Sequence, residues 1–392
     1  MSRRRTALLG GLVALGVALA AACGGGGGSK STTVQSGPVK IVVEGPMSGD
    51  QAATGTDMYR AARLAVDRAN AGGGVLGHRI ELIKGDDRAD PEVGKEVEKR
   101  AVDDKAFAVI GPYNSSVGVE NLKSYVDAGI IPIHLTSNAA TDGLGYTIRP
   151  KDSQVAPVEA KAITGFLEAQ TVAIVYDASS DTAGIAEQVK QALTKAGAKV
   201  VLYESFPEGK LDAAAVVGKI AAANPDLYYA STYSSEGGKI AEEAEARGVG
   251  PFATCLMGPA NQDTKFAQVA GLGAALLCYS TGVPTAEQFR GAHAYVRQYR
   301  KRFGTAPGTW GTFTYDSAEL LFSAVRKAGG WNRDRVNAQL AKTTNYRGIT
   351  GKIDIDPKTG NRKVVPVVIL DTDRNGAYIV DRKWARFAGF SQ

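Results

Sequence analysis

The sequence predicts an α/β chain of two doubly wound parallel-sheet lobes. Three observations carry this. Apolar strands and amphipathic helices alternate from Val39 onward, the alternation falls into two successive blocks, and helices are left over after the second. A strand that pairs parallel to its predecessor needs a long crossover, which is usually a helix, so regular alternation gives parallel sheets covered on both faces. The roughly 355 residues that follow the N-terminal segment suffice for two domains of ordinary size.

In the first block Lys40–Glu44 is an apolar strand, and Thr56–Asn70 is a helix with Met58, Ala61, Ala62, Ala65 and Ala69 at helical spacing. Arg79–Lys84 is the next strand. Pro91 opens a helix that turns Val93, Val97 and Ala101 to one face; the first helical position suits Pro, whose missing N–H is not needed there. A strand over Ala106–Ile110, a helix over Ser116–Asp127 and a strand over Ile130–Leu135 continue the series, and Tyr146–Arg149 closes it. In the second block Gln154–Glu168 is helical, Val172–Tyr176 is a strand, and Ala183–Ala196 is a helix with Ala186, Val189, Leu193 and Ala196 inward. Lys199–Phe206, Leu211–Ala223, Leu227–Ala230, Gly238–Arg247 and Phe252–Met257 extend the alternation to a last strand at Ala274–Tyr279. Helices over Ala286–Phe303, Tyr315–Ala328 and Arg333–Lys342 follow. The strand-like Val364–Leu370 and Ala377–Asp381 flank a turn at Asp371–Gly376.

Ahead of the first strand lies an address. Arg3-Arg4-Arg5 form a positive n-region, and Ala7–Ala22 is an apolar run shorter than the roughly 20 residues of a membrane-spanning helix. Residues 1–22 are therefore read as a removable signal peptide. Leu19-Ala20-Ala21-Ala22-Cys23 resembles the lipobox of bacterial lipoproteins, with Cys23 as the lipidated first residue. Residues 23–38, rich in Gly and Ser, are then a flexible tether, and the protein is expected at the extracytoplasmic face of the cell membrane.

The formal net charge is +6, and without the three leader arginines 43 basic face 40 acidic residues, interspersed along the helices. A nucleic-acid surface would need a basic stripe, which is absent. Besides Cys23 only Cys255 and Cys278 occur; a disulfide and two buried thiols on neighbouring strands fit equally well. Gly72–Gly77 spells a dinucleotide-binding fingerprint, but it follows a helix and precedes a strand, the reverse of what phosphate capture requires. His78, His134 and His293 have no metal-ligand spacing, and neither a nucleophile elbow nor a P-loop is present. No enzyme, metal or cofactor is expected.

Ligands of doubly wound sheets bind beyond the carboxyl ends of the strands. Those positions are polar here: Ser48, Asn114-Ser115-Ser116, Thr136-Ser137-Asn138, Asp177–Asp181 and Thr232-Tyr233-Ser234. Ile110–Ser116 and Ile133–Asn138 each leave a strand with hydroxyls that could hold an anion beside free helix-terminal amides, or could equally serve as N-caps.

Pro46-Met47-Ser48-Gly49, Arg68-Ala69-Asn70 before Gly72–Gly77, Asp86-Asp87, Ile110-Gly111 with Ser115-Ser116, and Thr314-Tyr315-Asp316-Ser317 resemble the leucine/isoleucine/valine-binding family. These are type I periplasmic-binding-protein solute receptors of ABC importers, and the resemblance runs from Val39 to about Leu370. It implies three crossovers, one lobe of residues 39–152 plus 284–365 and another of 153–283 plus 366–392. It also implies a small-molecule ligand, ABC permease partners and a monomer; a sensory receptor signalling to a membrane partner is the alternative. By position, Ser115 matches the hydroxyl that holds a ligand carboxylate, with Ser116 beside it. Ser137 and Asn138 match further head-group contacts, and Tyr233 the opposite-lobe tyrosine at the amino group. Thr54 and Asp181 replace aromatic walls, and Ala260 replaces the ammonium-binding Glu, so a pocket more polar than leucine's is implied. Asp181 is expected to face the cleft as cation partner in place of Ala260, with Asp263 as the second candidate.

Overall fold

A computed structural model describes residues 37–249, 254–263 and 265–389. The residues read from the sequence as a signal peptide, Cys23 and the expected tether up to residue 36 lie outside the described residues.

The first sheet takes β1 (Val39–Gly45), β2 (Ile80–Asp86), β3 (Ala108–Ile110), β4 (Ile131–His134) and β5 (Tyr146–Thr147) in the order β2-β1-β3-β4-β5. Every pairing is parallel. The helices between them are α1 (Ala52–Ala71), α2 (Pro91–Asp103) and α3 (Ser115–Asp127). Side chains alternate across a strand, so Ile41 and Val43 join the core with α1, while Val42 and Val109 join a second cluster with Val97 of α2 and Leu122 of α3. The sheet is thereby covered on both faces. Asp90 caps α2, accepting from Glu92 N at 2.8 Å, with Pro91 at the first helical position.

The chain then builds α4 (Asp152–Lys161), which runs on through a π turn at Ala162–Phe166, followed by β6 (Thr171–Asp177), α5 (Ser180–Ala196), β7 (Lys199–Phe206) and α6 (Ala213–Ala223). Next come β8 (Leu227–Ser231), α7 (Ser234–Ala246), β9 (Thr254–Met257), α8 (Lys265–Leu277) and β10 (Cys278–Gly282). Back on the first core stand α9 (His293–Phe303), α10 (Thr309–Ala328), α11 (Arg333–Ala341) and the hairpin β11 (Tyr346–Gly348) and β12 (Gly351–Ile353). The final elements are β13 (Val368–Thr372), β14 (Tyr378–Val380) and α12 (Arg382–Ala388). The second sheet has the order β14-β13-β10-β9-β8-β6-β7, parallel from β10 to β7 and antiparallel at β13 and β14. The chain passes between the two large cores three times: between Ile148 and Val155, between Cys278 and Val283, and between Ile355 and Val367.

Several stretches differ from the sequence reading, among them β13, which runs over Val368–Thr372 rather than Val364–Leu370. Ala274–Leu277 is the end of α8 rather than a strand, and Gly271 breaks that helix at φ 73°, ψ 155°. Residues 286–292 are not helical, and α9 begins only at His293. α10 starts six residues before Tyr315, at Thr309, and buries most of its length. The hairpin and α12 lie outside the elements that periodicity predicts; Asp316 holds the hairpin loop by accepting from Ile349 N and Thr350 N, both at 2.8 Å. Cys255 and Cys278, opposite each other on β9 and β10, form a disulfide.

Candidate functional site

The carboxyl ends of both sheets converge on one cleft. On the first lobe, β3 runs into a loop that Gly111 turns at φ 115°, where any Cβ would overlap the Glu44 carbonyl. The Gly111-Pro112 bond is cis, and α3 begins three residues later at the fully buried Ser115. Asn114 stands at the cap position but does not use its side chain there. Its Nδ2 donates to Gln51 Oε1 at 3.1 Å and to Tyr233 Oη at 2.9 Å.

The cap comes from the other lobe. Ser115 N donates to Asp181 Oδ1 at 2.8 Å and Oδ2 at 3.0 Å, and Tyr233 Oη donates to Asp181 Oδ2 at 2.8 Å. A carboxylate suits this place because the N-terminal end of α3 carries partial positive charge and free N–H groups. Ser115 Oγ accepts from Ser137 N and Asn138 N, both at 3.2 Å. Asn138 Nδ2 crosses to the second lobe and donates to Ser180 O at 2.9 Å, while Thr54 Oγ1 donates to Asp263 Oδ2 at 3.3 Å. Behind Asn138, the buried Lys151 Nζ donates to its carbonyl at 2.7 Å and pairs with Asp142 at 3.0 Å, fixing the loop after β4.

Five of the sequence-predicted residues, Ser115, Ser137, Asn138, Asp181 and Tyr233, thus meet in one network. Thr54 lies apart from it against Asp263, the second candidate cation partner. Ser116 is half-buried and lines neither cavity described below. Asp181, read from the sequence as a cation partner facing the cleft, does not stand free: it lines the smaller cavity, both its oxygens accept from the Ser115 N–H, and one accepts also from the Tyr233 hydroxyl. Nor does it cap its own helix, where Ser179 holds the cap position. His134 is buried against Thr136, and desolvation keeps it well below its ordinary pKa and neutral. Among the described residues no cluster of His, Cys, Asp or Glu could hold a metal.

Two adjoining cavities share Tyr113, Tyr233 and Ala260. One, beside Asp181 and Ser137, has only about 30 Å³. The other, with Thr54, Glu236 and Asp263, has about 370 Å³, within the usual range for a small-ligand site. Composition and periodicity do not reveal several groups that line them. Arg149, 7% exposed, lies 4.3 Å from the Trp310 ring centroid and 5.4 Å from that of Tyr113. Its Nη1 donates to Leu135 O at 2.6 Å and its Nε has no partner. Asp152 also has an unpartnered oxygen, and burial pushes its carboxyl up to about 6. Burial likewise pushes Tyr113 up to about 12 and, together with the nearby Asp177, Glu236 up to about 7. The one available signal was position, since Arg149 is the second residue after β5 and Tyr113 belongs to the loop leading to Ser115.

A family model for periplasmic binding proteins matches residues 38–377. The chain belongs to the periplasmic binding protein family. Its relatives place this periplasmic binding protein with the leucine/isoleucine/valine-binding type. It is 30% identical to an amino acid binding protein of Pseudomonas aeruginosa, over 87% of this chain and 91% of that one. It is 31% identical to the Leu/Ile/Val-binding protein of Escherichia coli, over 66% of this chain and 68% of that one. Among solved structures, a branched-chain amino acid substrate-binding protein of Streptococcus pneumoniae in complex with isoleucine superposes with a TM-score of 0.77 at 26% identity. It covers 88% of this chain and 100% of that one. A leucine-binding protein of Thermotoga maritima shares the fold, with a TM-score of 0.80 at 23% identity over 88% and 97% of the two chains. A periplasmic binding protein of this type is an extracytoplasmic solute-binding receptor.

Proposed function

We propose that this receptor serves an ABC importer, held to the membrane through a lipid on Cys23, and closes its lobes over a small polar amino-acid-like or amide ligand. The observation that carries this reading is the cleft itself, where strand ends of both lobes present polar groups to each other. Three thin connections join the lobes, so hinge closure can shut the cleft, exclude water and strengthen the hydrogen bonds to a captured ligand. Relatives named for amino acids support a ligand of that size. Thr54 and Ala260, in place of an aromatic wall and an acid, support a more polar one.

The test is a thermal-shift panel of amino acids, amides, polyamines and aromatic acids on the full chain. One chemical class should raise the melting temperature by several degrees, as mass action requires of a ligand bound only by the folded state. A flat response across all four classes would overturn the reading. Cys23→Ser should at the same time move the protein from the membrane fraction to the soluble one.

A further inference from the structure

We propose that Asp181 is a built-in substitute for a ligand carboxylate, so that the cleft selects amines and amides that carry no carboxylate there. This rests on the receptor reading above and names the class of its ligand.

Position is the first ground. An α-amino acid seated at the start of α3 would place its carboxylate on the Ser115 N–H, where the Asp181 carboxylate already lies at 2.8 and 3.0 Å. Ser115 Oγ accepts from two backbone amides and keeps its O–H to donate, but Ser115 is fully buried and lines neither cavity. The seat provided by one lobe is filled by the other.

Space is the second. The cavity around Asp181 has about 30 Å³, room for a water molecule or two and not for an amino acid. The neighbouring 370 Å³ has the room, and Tyr233 reaches both.

Charge is the third. Among the described residues that line the small cavity the one cation, Arg149, is set with two carboxylates, Asp152 and Asp181. Its guanidinium is also engaged by the Trp310 and Tyr113 rings and by Leu135 O. A third carboxylate would be enclosed with two others, at high desolvation cost. In the larger cavity the half-buried charged groups, Glu236 and Asp263, are both acids, whereas Arg88 and Lys239 are exposed at its rim. An ammonium or amide N–H placed there meets acceptors.

The experiment compares matched pairs on the full chain by calorimetry: glycine with glycinamide, leucine with leucinamide, and phenylalanine with phenylalaninamide, plus 1,4-diaminobutane. In the wild type at least one carboxylate-free probe should bind at least tenfold more tightly than its acid. Asp181→Ala bares the Ser115 N–H and should shrink that preference at least tenfold. Asp181→Ser is measured beside it, with circular dichroism to establish that both variants fold. A wild-type preference for the acids, or a preference unchanged in both variants, removes Asp181 from this role and leaves the receptor standing. Binding of neither class by any of the three proteins overturns the proposal together with the receptor reading.

Discussion

Glu159 on α4 is fully buried, accepts from Tyr229 Oη at 3.0 Å, and is pushed by burial up to about 8. Unfolded, a glutamate titrates near 4.3. Between those values the folded protein holds a proton that the unfolded chain has lost, so stability falls as pH rises through this window. Glu159→Gln keeps the shape and removes the titration. Its denaturation midpoint should decline less steeply between pH 5 and pH 9 than that of the wild type; parallel profiles would contradict the assignment. Some slope should remain, because Asp87 is also raised by burial, to about 7. At this scale the sequence showed which side chains stand at strand ends, but not whom they touch. Ser115 reads as either a ligand hydroxyl or a cap, and it serves as an acceptor that ties two loops of its own lobe. Asp181 was visible as a polar residue in the cleft. Its partner is the amide of a residue 66 positions earlier, on another lobe, and no local pattern records that pairing.

Elements were legible where periodicity ran uninterrupted, as in α1, α2 and β7; the bounds of β7 agree with the sequence reading to the residue, whereas α1 begins at Ala52, four residues before Thr56. They were lost where glycine breaks the period. Gly271 and Gly273 cut the apolar run of α8, so its last residues joined visually to the strand after them. The hairpin β11–β12 has three residues in each strand, too few for any alternation to show. Cysteine positions left two outcomes open, and register decided between them by setting Cys255 opposite Cys278. A cross-link over a sequence separation of 23 removes enough freedom from the unfolded chain to contribute roughly 3 kcal/mol. Reduction should therefore lower the denaturation midpoint of the purified protein by a corresponding amount. Identical midpoints with and without reductant would mean the bond adds nothing to stability.

Across the whole molecule, the lobes touch through side chains with little tolerance for extra atoms. Gly184 on α5 is one such point: a Cβ there would lie 2.7 Å from Asn138 Nδ2 and 3.3 Å from Asp152 Oδ2. Gly184→Val should hold the lobes apart. Small-angle scattering should report a larger radius of gyration than for the wild type, and affinity for any bound probe should fall at least tenfold. The thermal midpoint without ligand should move little, since neither large core loses an atom. Superposable scattering curves would show that Asn138 yields and that this contact does not control the approach of the lobes.

The antiparallel pairing of β13 with β10 also bears on how the polypeptide comes off the ribosome. Eighty-five residues, Val283 to Val367, separate the two strands, and much of that span builds the other lobe. At about 5–20 residues per second the interval is roughly 4–17 s. Until β13 arrives, the outer edge of β10 offers bare N–H and C=O groups, a template for joining another nascent chain. Its lobe is therefore the later of the two to be sealed, and helper proteins that guard emerging chains would have most to protect there.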